Sequence, residues 1–377
     1  MITILNFCLT ACALVYVVIV MYLRKGWSVM PIFNAEDRLS TKKVSVLIAA
    51  RNEEENIGRT IEAILNQNYP ASQLELIVVD DHSTDKTAQI IQSYSTRGVK
   101  LLQLQVGDKL NSYKKYAITK AIELASGEII VTTDADCRMG ANWIRTIMAY
   151  FDKHDSYLVS SPVAYSEEKS RFERLQTLEF LYLIGLGAAG IGNGNPTTCN
   201  GANLAYRRDV FFEMGGFKGI DNLASGDDEL FLHKVAERHA NRIGFCKSRE
   251  AIVYTDAKPD LASLISQRKR WASKSTKYKD VKVIVLGVSI WLFNLALICS
   301  LLAFLILLPN FNWWLLTAFL LKIAVEFYFM IPVLRFANRL ELLKYLPFLT
   351  VIHTFYLVYI GVAGNIGTYD WKGRQVN

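Results

Sequence analysis

Val44-Ser45-Val46-Leu47-Ile48-Ala49-Ala50 is an almost unbroken apolar run, and it stops abruptly at Arg51-Asn52-Glu53. A strand covered on both faces reads this way, because it needs no polar side to show to water. Working outward, the next stretch has helical spacing: Ile57, Ile61, Ile64 and Leu65 fall on one side of Glu54–Gln67. Leu74 to Val79 is a second buried strand, ending in Asp80-Asp81-His82-Ser83, and Asp85 is placed to cap a helix over 85–94. A strand over 99–106, a helix over 113–125 and a strand over 128–133 follow, and Asp134-Ala135-Asp136 closes the last strand. Strand and helix alternate, which predicts an α/β, Rossmann-like domain with a mainly parallel sheet and helices on both faces. Such sheets bind ligands beyond the carboxyl ends of their strands, so the edge that carries these acidic segments is the expected site.

The flanks are apolar. The chain has 377 residues, of which 51% are hydrophobic and 20% charged, with a mean hydropathy of +0.19. Residues 2–23 carry no charge and can cross a bilayer core of about 30 Å. Arg24 and Lys25 follow, so the run reads as an anchor with its C-terminal side cytosolic. A cleaved leader would carry its positive charge ahead of the run. Residues 284–308 and 313–333 form two further runs around a Pro309-Asn310-Phe311-Asn312 hairpin, and 346–364 is a weaker fourth, containing Pro347, His353 and Thr354. The expected organisation is an N-terminal transmembrane anchor (1–25), a cytosolic domain (43–257), an amphipathic interface helix (258–282) and a C-terminal hairpin plus a third span (283–367). Leu261, Leu264, Ile265 and Trp271 would line one face of the interface helix.

Composition excludes other classes. The six cysteines form no CxxC pair, which argues against a zinc site or a disulfide framework and for a reducing compartment. The net charge of +7 is concentrated in Arg268, Lys269, Arg270, Lys274, Lys277, Lys279 and Lys282, just before a span. Apart from Arg270, that cluster reads as a membrane anchor, and no nucleic-acid partner is expected. Gly185-Leu186-Gly187-Ala188-Ala189-Gly190 spells a dinucleotide fingerprint, but the Gly-Asn-Gly-Asn-Pro that follows cannot open the required helix, so a flexible glycine-rich segment is expected after a helix over 171–183.

The acids at three strand ends repel one another unless a cation or a hydroxyl-rich ligand relieves them. Asp134 and Asp136 can turn toward one hard cation, Mg2+ or Mn2+, able to hold a diphosphate.

In this order, the motifs resemble family 2 glycosyltransferases, whose fold is GT-A. The resemblance runs from Ala50-Arg51-Asn52-Glu53 and Asp80-Asp81-His82-Ser83-Thr84-Asp85-Lys86-Thr87 through Asp134-Ala135-Asp136. It continues in Cys199-Asn200-Gly201-Ala202-Asn203, in Gly226-Asp227-Asp228-Glu229, and in Gln267-Arg268-Lys269-Arg270-Trp271, which fits the Q-x-x-R-W signature of membrane-bound members. It covers roughly residues 43–275 and extends in layout to polysaccharide synthases and ceramide glucosyltransferases. It implies an inverting hexosyltransferase (EC 2.4) using a nucleotide-sugar donor, a UDP-sugar first of all, with a lipid or lipid-linked glycan acceptor at the cytosolic face of the membrane. Ala50, Arg51, Glu53, Asp80, Asp81, Lys115, Asp134 and Arg270 would bind the donor, Lys115 being chosen over Lys114 without a deciding signal. Asp134 and Asp136 would hold the divalent metal, and Asp228 would be the base, with Asp227 and Glu229 as rivals. Asn200, Gly201, Asp227, Gln267 and Trp271 would serve the acceptor. Two other readings stand beside this one. A processive polysaccharide synthase would need more spans, or a partner subunit for export. An inactive nucleotide-sugar-binding scaffold would be expected to have lost acids that are present here.

Overall fold

A computed structural model describes residues 2–35, 40–105, 112–223, 225–274, 277–307, 313–364, 369–371 and 374–376. In chain order, the elements begin with helix α1 (Ile2–Val29), β1 (Val44–Ala50), α2 (Ile57–Leu65), β2 (Leu74–Asp80), α3 (Thr87–Ser93), β3 (Lys100–Gln103), α4 (Tyr113–Leu124) and β4 (Ile129–Asp134). There follow β5 (Arg138–Met139), α5 (Trp143–His154), β6 (Leu158–Ser160), β7 (Val163–Tyr165), α6 (Arg171–Gly192), β8 (Leu204–Arg207), α7 (Arg208–Glu213), α8 (Glu229–His239), β9 (Ile243–Phe245) and β10 (Val253–Thr255). The last helices are α9 (Leu261–Ala272), α10 (Val281–Leu307), α11 (Trp313–Phe336) and α12 (Leu346–Ala363). The expected hairpin at Pro309-Asn310-Phe311-Asn312 lies outside the described residues, as does Val106.

The chain divides into two compact units. One comprises residues 29–168, 190–257 and 368–377. Its seven-stranded sheet runs β3-β2-β1-β4-β8-β6-β9. The first four neighbours are parallel, as the βα alternation requires, while β8 is antiparallel to β4 and to β6. Val44, Val46, Leu47 and Ile48 of β1 are wholly buried, so this strand is the core of the layer. Register fixes the site: Ala50 pairs with Asp80, and Ala49 with Asp134, so three polar segments leave the sheet at one edge. A second, three-stranded sheet runs β5-β10-β7.

The other unit comprises residues 1–28, 169–189 and 258–367. Residues 169–189 thus fall outside the continuous 43–257 domain expected from sequence. Among the described residues, five helices are long and apolar enough to cross a membrane, namely Thr3–Val29, Arg171–Gly192, Val281–Ile306, Trp313–Phe336 and Leu340–Ala363. The second was not among the four expected. There the structure corrects the sequence reading, because the glycines at 185, 187 and 190 lie inside helix α6 and do not form a flexible segment. The reason is close packing: a Cβ at Gly185 would stand 3.0 Å from Val333 Cγ2 and 3.3 Å from Phe329 Cζ on α11. Small residues bring membrane helices together in this way.

Candidate active site

The loops after β1 and β2 are joined by reciprocal hydrogen bonds. Arg51 Nη1 donates to the carbonyls of Asp81 and His82, at 2.9 Å each. The Asn52 amide N–H donates to Ser83 Oγ, and Asn52 Oδ1 accepts from the Thr84 amide. The Glu53 amide donates to Thr87 Oγ1, and the Glu54 carboxylate accepts from the Lys86 amide. Asn52 and His82 both take left-handed backbone, with φ of 50° and 57°, at the two loop tips. Asp80 accepts from the Ser83 amide at 3.2 Å, and Asp81 lies 2.9 Å from His82 Nδ1. Asp85 receives the Thr87 amide and hydroxyl from one residue ahead of the helix N-cap, which is Lys86 and makes no side-chain cap bond.

The turn after β4 is shaped from below. The hydroxyl of Thr60, buried on α2, donates to the carbonyls of Ala135 and Cys137. This presents Asp134 and Asp136 with oxygens that, together with Cys137 Sγ, lie within 4.8 Å of one another. Cys137 is wholly buried; burial first, then the nearby Asp134 and Asp136, push its thiol well above the ordinary range. The two carboxylates of this group offer oxygen donors, which suit a hard divalent cation.

A second acidic pair arrives from about ninety residues further along the chain. Asp228 caps α8, accepting from the Glu229 amide through Oδ1 and from the Gly201 amide through Oδ2 at 2.9 Å. A Cβ at Gly201 would sit 3.3 Å from Asp228 Cβ and 3.4 Å from Asp227 Oδ2, so glycine lets the acids lie against this turn. Asn200 holds the turn by accepting from the Ala202 amide, and Thr132 of β4 donates to the Gly201 carbonyl. Glu229 is buried and accepts from the Thr198 hydroxyl. Asn203, wholly buried, donates to the carbonyls of Pro162 and Ala251 while Trp143 Nε1 donates to it.

Lys114 joins the two pairs. Its ammonium lies 2.9 Å from Asp134 Oδ1 and 3.3 Å from Asp227 Oδ2. Burial opposes its charge, but Asp134 and Asp227, with Asp228 behind them, hold its pKa above the ordinary value. Lys115, the residue expected at the donor, is turned elsewhere: its buried ammonium donates to the carbonyls of Leu223 and Ser225, just before the Asp227-Asp228 segment. The reason is helical phase. Lys115 shares the buried face of α4 with Ile118 and Ile122, and that i, i+3, i+7 spacing was the signal in the sequence.

Of the expected site residues, Ala50, Arg51, Glu53, Asp80, Asp81, Asp134, Asp136, Asn200, Gly201, Asp227 and Asp228 gather at the carboxyl edge of the sheet. Gln267, Arg270 and Trp271 lie on α9, within the helical unit.

Residues 45–215 match the family described as Glycosyl transferase family 2. The chain is 26% identical over 196 residues to the glucosyl-dolichyl phosphate glucuronosyltransferase of Haloferax volcanii, covering 51% of this chain and 61% of that protein. It is 31% identical over 129 residues to the beta-monoglucosyldiacylglycerol synthase of Nostoc sp., covering 34% and 28%. It is 26% identical over 259 residues to the hyaluronan synthase of Streptococcus pyogenes, covering 64% and 59%. The chain thus spans less than two thirds of each of these relatives. The mannosyltransferase PcManGT of Pyrobaculum calidifontis, solved with GDP-Man and Mn2+, superposes with a TM-score of 0.59 at 17% identity, covering 94% of this chain and 99% of that one. The fold is GT-A.

Proposed function

We propose that the chain is a multi-pass membrane glycosyltransferase that moves a sugar from a nucleoside-diphosphate sugar to a lipid or lipid-linked acceptor, with inversion, at the cytosolic face. The observation that carries this is the convergence of Asp134-Ala135-Asp136 and Asp227-Asp228 at one sheet edge, bridged by Lys114. The family 2 match over residues 45–215 supports the reaction class, and the names of two lipid-modifying relatives support the acceptor. Arg24 and Lys25, and the basic residues ahead of α10, support the cytosolic side.

In this reading Asp80 and Asp81 meet the nucleoside. Asp134 and Asp136 hold the Mn2+ or Mg2+, whose chemistry is to neutralise charge on the departing diphosphate. Lys114, and not Lys115, supplies the fixed cation beside it. Asp228 is the base that takes the proton of the acceptor hydroxyl; its oxygens accept two backbone N–H groups, which hold the carboxylate in place. Asp227 sits beside it on Lys114 and is the rival. Attack opposite the leaving group inverts the anomeric carbon. Gln267, Arg270 and Trp271 are assigned here from the Q-x-x-R-W resemblance alone. A processive synthase is the second reading, favoured by the 259-residue match to hyaluronan synthase.

The test is purified protein in lipid nanodiscs with Mn2+ or Mg2+. Donors are UDP-glucose, UDP-N-acetylglucosamine, UDP-glucuronate and GDP-mannose; acceptors are dioleoylglycerol and dolichyl phosphate. Transfer that EDTA abolishes is expected. The absence of both transfer and donor hydrolysis with every donor would sink the proposal. Product mass separates single addition from a polymer.

A further inference from the structure

Helix α9 enters the helical unit with a cation on its buried face. Leu264 and Arg268, one turn apart, are its buried positions, and the Arg268 side chain is only 3% exposed. A buried arginine needs partners for its N–H groups and its planar face. Arg268 Nε and Nη2 donate to Glu179 Oε1 and Oε2 of α6, at 3.1 and 2.7 Å. Nη1 donates to Gln267 Oε1 at 2.6 Å. The guanidinium carbon stands 4.3 Å from the centroid of the Trp271 ring, and Phe180, next to Glu179, packs on that ring with centroids 6.0 Å apart. His353 Nε2 of α12 stands 4.0 Å from Glu179, and the His353 ring stacks on Tyr356.

A plain structural ion pair would use the fork on Glu179 and end there. Here the same guanidinium also fixes both neighbours that the Q-x-x-R-W segment is named for. Anchoring Gln267 through Oε1 fixes its amide so that the NH2 keeps its capacity to donate. Covering Trp271 with a cation, with Phe180 on the same ring, selects one orientation of a large amphipathic surface. Lysine could supply the charge but could not fork onto Glu179 and reach Gln267 together.

We propose that Arg268, oriented by Glu179, is a positioning residue for Gln267 and Trp271, and so sets how the acceptor is held. This rests on the acceptor role assigned to those two residues above.

The full chain, labelled with 5-fluorotryptophan and held in nanodiscs, provides the test. The Trp271 fluorine line is assigned by its loss in Trp271→Phe. Wild type should give one narrow line for Trp271. Arg268→Lys should broaden or split it, and raise the KM for dioleoylglycerol and for dolichyl phosphate by about tenfold, with the donor KM held within about twofold. Glu179→Gln keeps an acceptor oxygen for Arg268 and serves where the lysine variant does not fold; it should move the line and raise the same KM by about threefold. An unmoved Trp271 line in either folded variant, or donor and acceptor KM rising together, overturns the proposal. A wild-type protein with no transferase activity would instead overturn the functional reading, while the fluorine arm still judges Arg268 by itself.

Discussion

The carboxyl edge of the sheet and the interior of the helical unit treat charge in opposite ways. At the sheet edge, Asp134, Asp136, Asp227 and Asp228 crowd together, and Lys114 touches two of them. In the helical unit, two buried ion pairs set charge against charge. Glu179 pairs with Arg268, and Lys322 pairs with Glu326 four residues on at 3.1 Å, with side chains 1% and 5% exposed. Glu326 also accepts from the hydroxyls of Tyr16 and Thr350, and Lys322 donates to the Thr350 carbonyl. Matched charge in an apolar interior is architecture, because an unpaired ion there is costly. Crowded like charge at a solvent edge holds electrostatic energy that a cationic or hydroxyl-rich ligand can release. The amino edge of the same sheet makes the contrast sharper. There Glu75 is satisfied by Lys100, by the Ser126 amide and by the Ser45 hydroxyl.

Substitutions should separate the two regimes. Asp228→Asn should lower kcat by between about 10² and 10⁴-fold, with a loss of stability no larger than that expected from giving up one of its two backbone hydrogen bonds, about 1–3 kcal/mol. Asp227→Asn should cost less; the reverse order in initial-rate measurements would move the base to Asp227. Lys322→Met should do the opposite, costing about 3–5 kcal/mol of stability by leaving Glu326 uncompensated. Unfolding in nanodiscs measures this, and Lys322→Met with Glu326→Gln should recover most of the loss. If the single variant unfolds like wild type, the matched-pair reading fails. Lys114→Met should raise the donor KM by about tenfold, and any loss of thermal midpoint should return when Mn2+ is added. Added Mn2+ should leave Lys322→Met unaltered.

The smallest effect is expected at Glu75. Burial alone would raise its pKa, but Lys100, the Ser126 amide and the Ser45 hydroxyl outweigh burial and bring it from 4.5 down to about 2. Its folded pKa is depressed, so its contribution is full above pH 4.5 and fades as pH falls toward 2. With Lys100 about half exposed, screening limits that contribution to about 1–2 kcal/mol. Glu75→Gln should therefore flatten the fall in stability across that window, as followed by circular dichroism.

Much of this was legible in the chain. Strand β1 matches the apolar run residue for residue, and β2 and β4 end on the acids that mark the site, because strands buried on both faces leave an unmistakable pattern. The second half was harder. Helix α6 was cut short at its glycines, since local propensity counts glycine as a breaker while helix packing needs it. The Lys322–Glu326 pair sits inside a run read simply as apolar; its i, i+4 spacing was visible, but Tyr16 and Thr350 come from distant helices that no periodicity joins. For the lysines of α4, phase against Ile118 and Ile122 marks Lys115 as facing inward, a signal that motif matching does not weigh. The antiparallel β8, which carries the Gly201 turn toward Asp228, is a consequence of topology that short strands do not announce.

The loops after β1 and β2 hold each other through side chain to backbone bonds in both directions, at Asn52, Glu53, Glu54, Ser83 and Thr87. Their ordering is therefore completed when the chain folds, before any nucleotide arrives. If these loops wall the donor pocket, as proposed, they give up little conformational entropy on binding. Calorimetry of UDP or GDP binding should accordingly show a small heat-capacity change, of the size expected for the buried ligand surface alone.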